Sequence, residues 1–371
     1  MSMRLLVTGG GTGGHIYPAL AIARGFQQRH EGAEILYVGT NRGLEADIVP
    51  KAGYAFRTVT VEGLERKLSL KLLTSGLKAV QGLLDTRRIL QVFRPQAVVG
   101  TGGYVCGPVV LMAALQGIPC LIHEQNAYPG ITNKMLARFV NQVALTFGES
   151  AKYFPPRAPV KLTGLPIRPE VLAAEKEKGR ANLGLDKDKF LVLVTGGSRG
   201  ARSINKAMVE VHKWFAGRPE VQILHITGQS GYEDTLVQLE KEGITLTPKG
   251  NSIIKPYLYN MEDALAAADL IICRAGATTL AEVTARGIPA VLIPYPYAAE
   301  NHQEHNARSL ENHGAAIVIL DKDLMGYSLL QTLEALLDAP PRLQAMAVNS
   351  LKLGKPAALD EILDMVDELV K

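Results

Sequence analysis

The chain has 371 residues, 47% hydrophobic and 20% charged, enough apolar side chain for two packed domains and too much for a disordered chain. Its 36 Gly and 20 Pro are scattered without a short period, which excludes collagen-like and low-complexity architectures. The net charge of +4 hides an asymmetry, since residues 1–165 hold 18 Lys and Arg against 9 Asp and Glu (+9) and the remainder 22 against 27 (−5). A basic first half is expected to meet an anionic partner: nucleic acid, a lipid surface or a phosphorylated substrate.

Cys106, Cys120 and Cys273 are odd in number, widely spaced and form no CxxC. They read as small buried residues in a reducing cytosol, not as a disulfide scaffold or zinc site. At the N-terminus only Leu5, Leu6 and Val7 separate Arg4 from the first glycines, too short for a secretory signal. The uncharged stretch Pro95–Ile122 is broken by Gly100, Gly102, Gly103, Gly107, Pro108, Gly117 and Pro119. It reads as strand, loop, short helix and strand of a soluble chain, not as a membrane span.

In chain order, short apolar runs at Arg4–Thr8, Ile35–Val38, Ala97–Thr101, Cys120–His123 and Val143–Leu145 predict strands. Helical patterns lie between them at Ile16–Arg29, Leu44–Ala52, Leu70–Phe93, Pro108–Gln116 and Ile131–Val140. Continuous apolar strands separated by helices predict a buried parallel sheet. The second half repeats the grammar. Strands are predicted at Phe190–Thr195, Gln222–Thr227, Leu270–Cys273, Ala290–Ile293 and Ala316–Ile319, and helices at Ser203–Ala216, Tyr232–Lys241, Met261–Ala268, Thr278–Arg286 and Gln303–Asn312. Val7-Thr8-Gly9-Gly10 and Val194-Thr195-Gly196-Gly197 open the two halves identically, so two nucleotide-binding-like α/β domains in tandem are expected. The joint falls at Thr163–Pro169, where two prolines and a glycine prevent a continuous helix. The expected domains are 1–165 with a terminal helix at about 356–371, and 166–355.

Three glycine loops, Gly9–His15, Gly100–Tyr104 and Gly196–Arg202, each stand between a strand and a helix. Glycine permits tight turns there, and unpaired amides at a helix start attract anions, so all three are candidate phosphate cradles. The first fits G-x-G-x-x-G, but its second strand ends Val38-Gly39-Thr40-Asn41-Arg42 without the acid that a nicotinamide site needs. No G-x-x-x-x-G-K-[ST] occurs, which removes a P-loop ATPase. In Ala275–Glu282 a helix starts among small residues and threonines, and Glu282 in its first turns is placed to accept ribose hydroxyls.

These motifs in this order resemble the MurG family of UDP-N-acetylglucosamine-dependent glycosyltransferases of bacterial cell-wall synthesis. The resemblance rests on Gly10–His15, Gly102-Gly103-Tyr104 with Gly107-Pro108, and His123-Glu124-Gln125-Asn126. It continues through Gly164–Arg168, Gly196–Arg202, Arg274–Glu282, Glu300-Asn301-His302-Gln303 and Asn306-Ala307. It implies the GT-B architecture, two Rossmann-like domains with parallel sheets facing across a cleft. It also implies an inverting transfer of N-acetylglucosamine from UDP-GlcNAc to the 4-hydroxyl of lipid-linked N-acetylmuramic acid. By that resemblance Ser198 and the third loop would hold the diphosphate, with Arg168 reaching in. Leu258 and Ala277, Thr278, Thr279, Leu280 and Ala281 would border uracil and phosphates. Glu282 would bind ribose, and His302 and Gln303 the sugar hydroxyls. Thr12, Gly13, Gly14 and Asn126 would close on the donor sugar, while Gly11, Gly102, Gly103 and Tyr104 would take the acceptor pyrophosphate.

Inversion needs one base on the acceptor side. His15 has a near-neutral reference pKa, and Glu124 is its rival as a partly buried carboxylate. No cofactor or metal is expected, because loop amides would stabilise the departing phosphate without an Asp-x-Asp clamp. Leu70, Leu73, Leu77, Val80 and Leu84 form a helical stripe among Arg66, Lys67, Lys71, Lys78, Arg87 and Arg88. The stripe is either a core face with a basic rim or a surface docking peripherally on the anionic cytoplasmic face of the membrane. Nucleic acid drops out as the partner, and the oligomeric state stays open. The competing readings are a UDP-GlcNAc 2-epimerase-like enzyme, a glycolipid galactosyltransferase of the same architecture, a nucleotide-sugar binding module without turnover, and, more remotely, a nicotinamide oxidoreductase.

Overall fold

Runs of consecutive apolar residues become strands buried on both faces, and each glycine-bearing turn hands the chain to a helix. The computed structural model describes residues 2–61, 71–244, 246 and 250–371, with the side chains of 71–80 outside that description. The chain divides into two compact units, Met1–Pro166 with Pro356–Lys371, and Ile167–Lys355.

The first unit holds strands β1 (Arg4–Thr8), β2 (Glu34–Gly39), β3 (Ala55–Thr58), β4 (Ala97–Gly100), β5 (Cys120–Glu124), β6 (Gln142–Leu145) and β7 (Val160–Leu162). All pair in parallel, in the order β3-β2-β1-β4-β5-β6-β7. Alternate residues of one strand serve two cores. Leu5 and Val7 face Ile16, Ile22 and Phe26 of the helix Gly13–Arg29, whereas Leu6 faces Val105, Val109 and Val110. The helix Ala358–Val370 returns to this unit and buries Ile362, Leu363, Met365 and Val366 in the first core.

The second unit holds β8 (Phe190–Thr195), β9 (Val221–Ile226), β10 (Ser252–Lys255), β11 (Leu270–Cys273), β12 (Ala290–Leu292) and β13 (Ala316–Val318), again parallel, in the order β10-β9-β8-β11-β12-β13. Its main core packs β8, β9, β11 and β12 against Ile204, Met208, Val211 and Phe215 of the helix Arg202–Phe215 and against Leu329, Leu333 and Leu336 of the helix Gly326–Leu337.

Both sheets reverse strand order beside their first strand, between β1 and β4 and between β8 and β11. Ligands of open α/β sheets bind at the carboxyl ends of the strands at that switch point. The first two glycine loops follow β1 and β4, and the third follows β8.

Two sequence expectations change. Counting the terminal helix with the first unit leaves 19 Lys and Arg against 14 Asp and Glu there (+5), and 21 against 22 in the second (−1), so the asymmetry shrinks. The reason is local: Arg29 contacts Asp360, Asp364 and Asp367 of that helix. The expected helix from Leu70 is described as Lys71–Phe93. Arg66, Lys67 and Leu70 lie outside the described residues, as do the side chains of Lys71, Leu73, Leu77, Lys78 and Val80. Of the remainder, Leu84 is half exposed beside exposed Arg87 and Arg88, and the buried positions are Gly82, Thr86 and Leu90. The face that packs is not the one carrying Leu84.

Candidate active site

In the first unit the loops after β1 and β4 interlock. Gly11, Gly102 and Gly103 adopt positive φ, and a Cβ on Gly103 would collide with the Gly10 carbonyl. The Gly10 N–H donates to the Gly102 carbonyl over 3.3 Å. Beneath them lies the fully buried carboxylate of Glu45, which accepts from the Gly11 N–H (3.0 Å), the Thr40 N–H (3.1 Å) and the Thr40 hydroxyl (2.7 Å). Glu45 therefore acts as a strut under the first loop. It went unread in the sequence because it stands six residues past the end of β2 and gains its role only through the fold. Tyr104 lies against Gly11, and its hydroxyl is 3.3 Å from Thr40 Oγ1. The Cys106 thiol accepts from the Gly102 N–H, and burial pushes its pKa up to about 12, so it braces the second loop as a neutral thiol.

His15 sits in the first turn of the helix Gly13–Arg29 and is half-buried. Its Nδ1 lies 3.0 Å from the Thr101 carbonyl oxygen and 2.9 Å from Gln125 Oε1. Both partners are acceptors, so Nδ1 carries the proton of the neutral ring and Nε2 is the basic nitrogen. Glu124, the rival candidate base, is held by protein donors. Oε1 accepts from the backbone and side-chain amides of Asn126 (2.9 and 3.3 Å), and Oε2 from the Gly130 N–H (3.2 Å) and Asn133 Nδ2 (2.8 Å). Burial raises its pKa against the opposing pull of those donors. A carboxylate that is 1% exposed and so engaged holds the turn after β5 in shape.

In the second unit a cavity of about 680 Å³ opens at the carboxyl ends of β8 and β11. The third loop, from Gly196 through Ser198 to Ser203, forms one wall, and Gly276, Thr279 and Gln303 belong to another. Gly276 caps the helix Ala277–Ala285 in extended conformation, so the helix N-terminus and its amides meet the cavity. Gln303 Oε1 takes the Tyr295 N–H over 2.9 Å, which leaves its NH2 as the donor available to a ligand.

Several expected residues stand elsewhere. Glu282, one turn beyond Thr279, is 7% exposed and accepts from Arg168 Nε over 2.8 Å, so the two side chains are paired here. Leu280 and Leu258 are buried, and Leu280 gives its N–H to the Gly276 carbonyl. His302 is not among the lining residues of the cavity. Its Nδ1 donates to the Ala299 carbonyl over 2.7 Å, and burial lowers its pKa.

Sequence reasoning missed Arg274 and Asp321. Arg274 Nη1 contacts Asp321 Oδ1 at 2.6 Å and the Ile293 and Pro294 carbonyls at 3.1 Å, while Nη2 reaches Ser203 Oγ at 2.9 Å. This cluster ties the ends of β11, β12 and β13 to the third loop. Its signal was position, since Arg274 directly follows β11. Asp-x-Asp pairs do occur, at Asp186–Asp188 and Asp321–Asp323, and Asp321 is held by Arg274. Among the described residues no group of three or more His, Cys, Asp or Glu is arranged to hold a metal.

Two parallel sheets, each with a glycine loop at its switch point, define a pair of Rossmann-like nucleotide-binding domains. The glycosyltransferase family 28 N-terminal domain matches residues 5–145, and the family 28 C-terminal domain matches residues 191–362. The chain belongs to glycosyltransferase family 28. Within it, the chain is 55% identical over 368 residues to the UDP-N-acetylglucosamine–N-acetylmuramyl-(pentapeptide) pyrophosphoryl-undecaprenol N-acetylglucosamine transferase of Desulforamulus reducens, covering 99% of both chains. It is 51% identical to the transferase of the same name from Moorella thermoacetica, over the whole of both. The crystal structure of Acinetobacter baumannii MurG superposes with a TM-score of 0.83 at 30% identity, over 99% of each chain. A Neisseria meningitidis UDP-GlcNAc 2-epimerase superposes with a TM-score of 0.66 at 13% identity, a likeness of fold alone.

Proposed function

We propose that this enzyme transfers N-acetylglucosamine from UDP-GlcNAc to the 4-hydroxyl of undecaprenyl-pyrophosphoryl-MurNAc-pentapeptide, converting lipid I to lipid II in peptidoglycan synthesis. The observation that carries the reading is the end-to-end match, at 55% identity, to a relative named for this transfer. The site supports it. The second unit's cavity, walled by loop amides and a helix N-terminus, suits a nucleoside diphosphate. Ser198 and its loop hold the diphosphate, Thr279 and the helix start border it, and Gln303 donates to a sugar hydroxyl. Arg168 and Glu282 act as a pair, with Glu282 offered to the ribose.

In the first unit His15 Nε2 takes the proton of the acceptor 4-hydroxyl. That oxygen forms its bond to C1 of the donor sugar while the C1–O bond to UDP breaks on the opposite face. The bonding electrons leave with the phosphate, where loop amides meet the developing charge. C1 is thereby inverted. Gly11, Gly102, Gly103 and Tyr104 are assigned to the acceptor pyrophosphate.

The protein is mixed with UDP-GlcNAc, with and without a polyprenyl-pyrophosphoryl-muramyl acceptor, and UDP release is followed. Release that depends on acceptor is expected. Isomerised sugar without acceptor would replace this reading with an epimerase, and binding without release with a binding module. His15→Ala should lower kcat by about 10²–10⁴-fold while UDP affinity stays unchanged.

Access to a lipid acceptor implies a peripheral place at the cytoplasmic membrane face. No described helix is long and apolar enough to cross a membrane. Leu84, exposed beside Arg87 and Arg88, supports docking through that helix. Reversing the charge at Lys67, Lys71 and Lys78 should weaken binding to anionic vesicles without lowering stability; unchanged binding retires the docking.

A further inference from the structure

The segment His123–Gln125 contains two side chains that the transfer chemistry above does not use. His123, at the end of β5, is fully buried, and its Nε2 lies 2.9 Å from the Gly164 carbonyl oxygen. A carbonyl only accepts, so Nε2 carries the proton and Nδ1 is left as an acceptor. Gln125 Nε2 lies 3.0 Å from that Nδ1 and 2.9 Å from the His123 carbonyl oxygen. Both are acceptors, so the amide of Gln125 is oriented with its NH2 toward His123. Its oxygen therefore points the other way, 2.9 Å from His15 Nδ1. Starting from one backbone carbonyl, every donor and acceptor along the series is determined.

We propose that Gln125, held in orientation by His123, is a positioning residue that keeps the proton of His15 on Nδ1 and so presents Nε2 as the base. The inference rests on the reading of His15 as the base. Orientation of an imidazole through its far nitrogen is the usual means of selecting a tautomer. Here the partner is a neutral amide rather than a carboxylate, and the Thr101 carbonyl at 3.0 Å is a second acceptor for the same proton. When His15 takes the acceptor proton, its positive charge lies beside two carbonyl dipoles. The ring of His123 suits the task because burial pushes its pKa down to about 4. At neutral pH it is uncharged and keeps one donor and one acceptor face. Thr146 Oγ1 lies 3.5 Å from the same Nε2, and the Gly164 carbonyl, closer at 2.9 Å, sets the tautomer.

Gln125→Met removes both polar ends at similar length, whereas Gln125→Glu keeps an acceptor toward His15. Nitrogen-15 NMR of the His15 ring, assigned by the signals lost in His15→Ala, reads the tautomer without any turnover. In the unsubstituted protein, and in Gln125→Glu, Nδ1 should appear protonated. In Gln125→Met the Thr101 carbonyl remains, but the share of rings protonated on Nε2 should rise measurably, with kcat lowered up to about tenfold and donor KM little changed. On a His15→Ala background Gln125→Met should cause no further loss. A His15 spectrum untouched by Gln125→Met, or losses that multiply in the double variant, overturns the positioning role. Full activity in His15→Ala instead overturns the assignment of the base, and the spectrum still decides what Gln125 does.

Discussion

Gly197 and Gly200 form a matched pair for testing how the third loop holds its shape. Both have positive φ, +83° and +72°. Alanine at either therefore incurs the left-handed penalty of about 1–2 kcal/mol, offset slightly by a stiffer unfolded chain. The space around them differs. A Cβ on Gly197 meets nothing within 4 Å, while one on Gly200 would collide with the Thr227 carbonyl and stand 2.9 Å from Gly228 Cα. Those neighbours are backbone, so no rotamer change relieves the contact, and overpacking adds about 1–3 kcal/mol. Gly197→Ala should thus destabilise the second unit by about 1 kcal/mol and Gly200→Ala by about 2–4 kcal/mol. The chain's single tryptophan, Trp214, lies on the helix that follows this loop, so its fluorescence during urea unfolding reports this unit. UDP titration of the same samples should show weak or no binding for Gly200→Ala and near-normal binding for Gly197→Ala. Equal losses for the two variants would refute the argument from space.

Acid should destabilise the protein through its buried imidazoles. His123 is pushed down to about 4 and His212 to about 3 by burial, and His225, stacked on His212, well below its ordinary value. The unfolded chain takes up protons below about pH 6.5 that these folded sites refuse. Stability is therefore complete above that pH and falls by about 2 kcal/mol per histidine by pH 5. Melting between pH 7 and 5 should show the slope, and His212→Asn should flatten it; an unaltered slope would remove His212 from the account. Glu124→Gln replaces one accepting oxygen by an NH2 that faces N–H donors, and should cost about 2–4 kcal/mol in chemical unfolding while the pH profile of kcat stays put. A shifted profile would restore Glu124 as a base. Glu45→Gln should cost a similar amount, and heightened amide exchange at Gly11 is the sign to look for.

Much of the architecture was legible because parallel strands buried on both faces are written as unbroken apolar runs. Arg4–Thr8 and Phe190–Thr195 were read with the ends they have in the structure. Ala55–Thr58, Val160–Leu162 and Ser252–Lys255 were not read. They are short edge strands, and their exposed or half-exposed residues lack that mark. The helix Gly326–Leu337 was legible, with Leu329, Leu333 and Leu336 at helical spacing, yet it went unread. The glycine loops could be placed because their conformations forbid most other residues. Glu45, Gln125, Arg274 and Asp321 could not be assigned from spacing. Each works on partners that only the fold brings near; Gln125 and His15, for instance, are 110 residues apart. For Glu124, too, spacing could not show the four protein donors that hold its carboxylate.

The helix Ala358–Val370 has a bearing on how the chain is made. Ile362, Leu363, Met365 and Val366 complete a core begun by Leu5, Ile16 and Phe26, and together contribute at most roughly 6–12 kcal/mol of apolar burial. They leave the ribosome only after the whole of residues 167–355 has been synthesised. The second unit can reach its native state during translation, whereas the first keeps part of its interior open to water until that late helix docks. During that interval the waiting surface is the one most in need of a chaperone, although its residues are first in the order of synthesis.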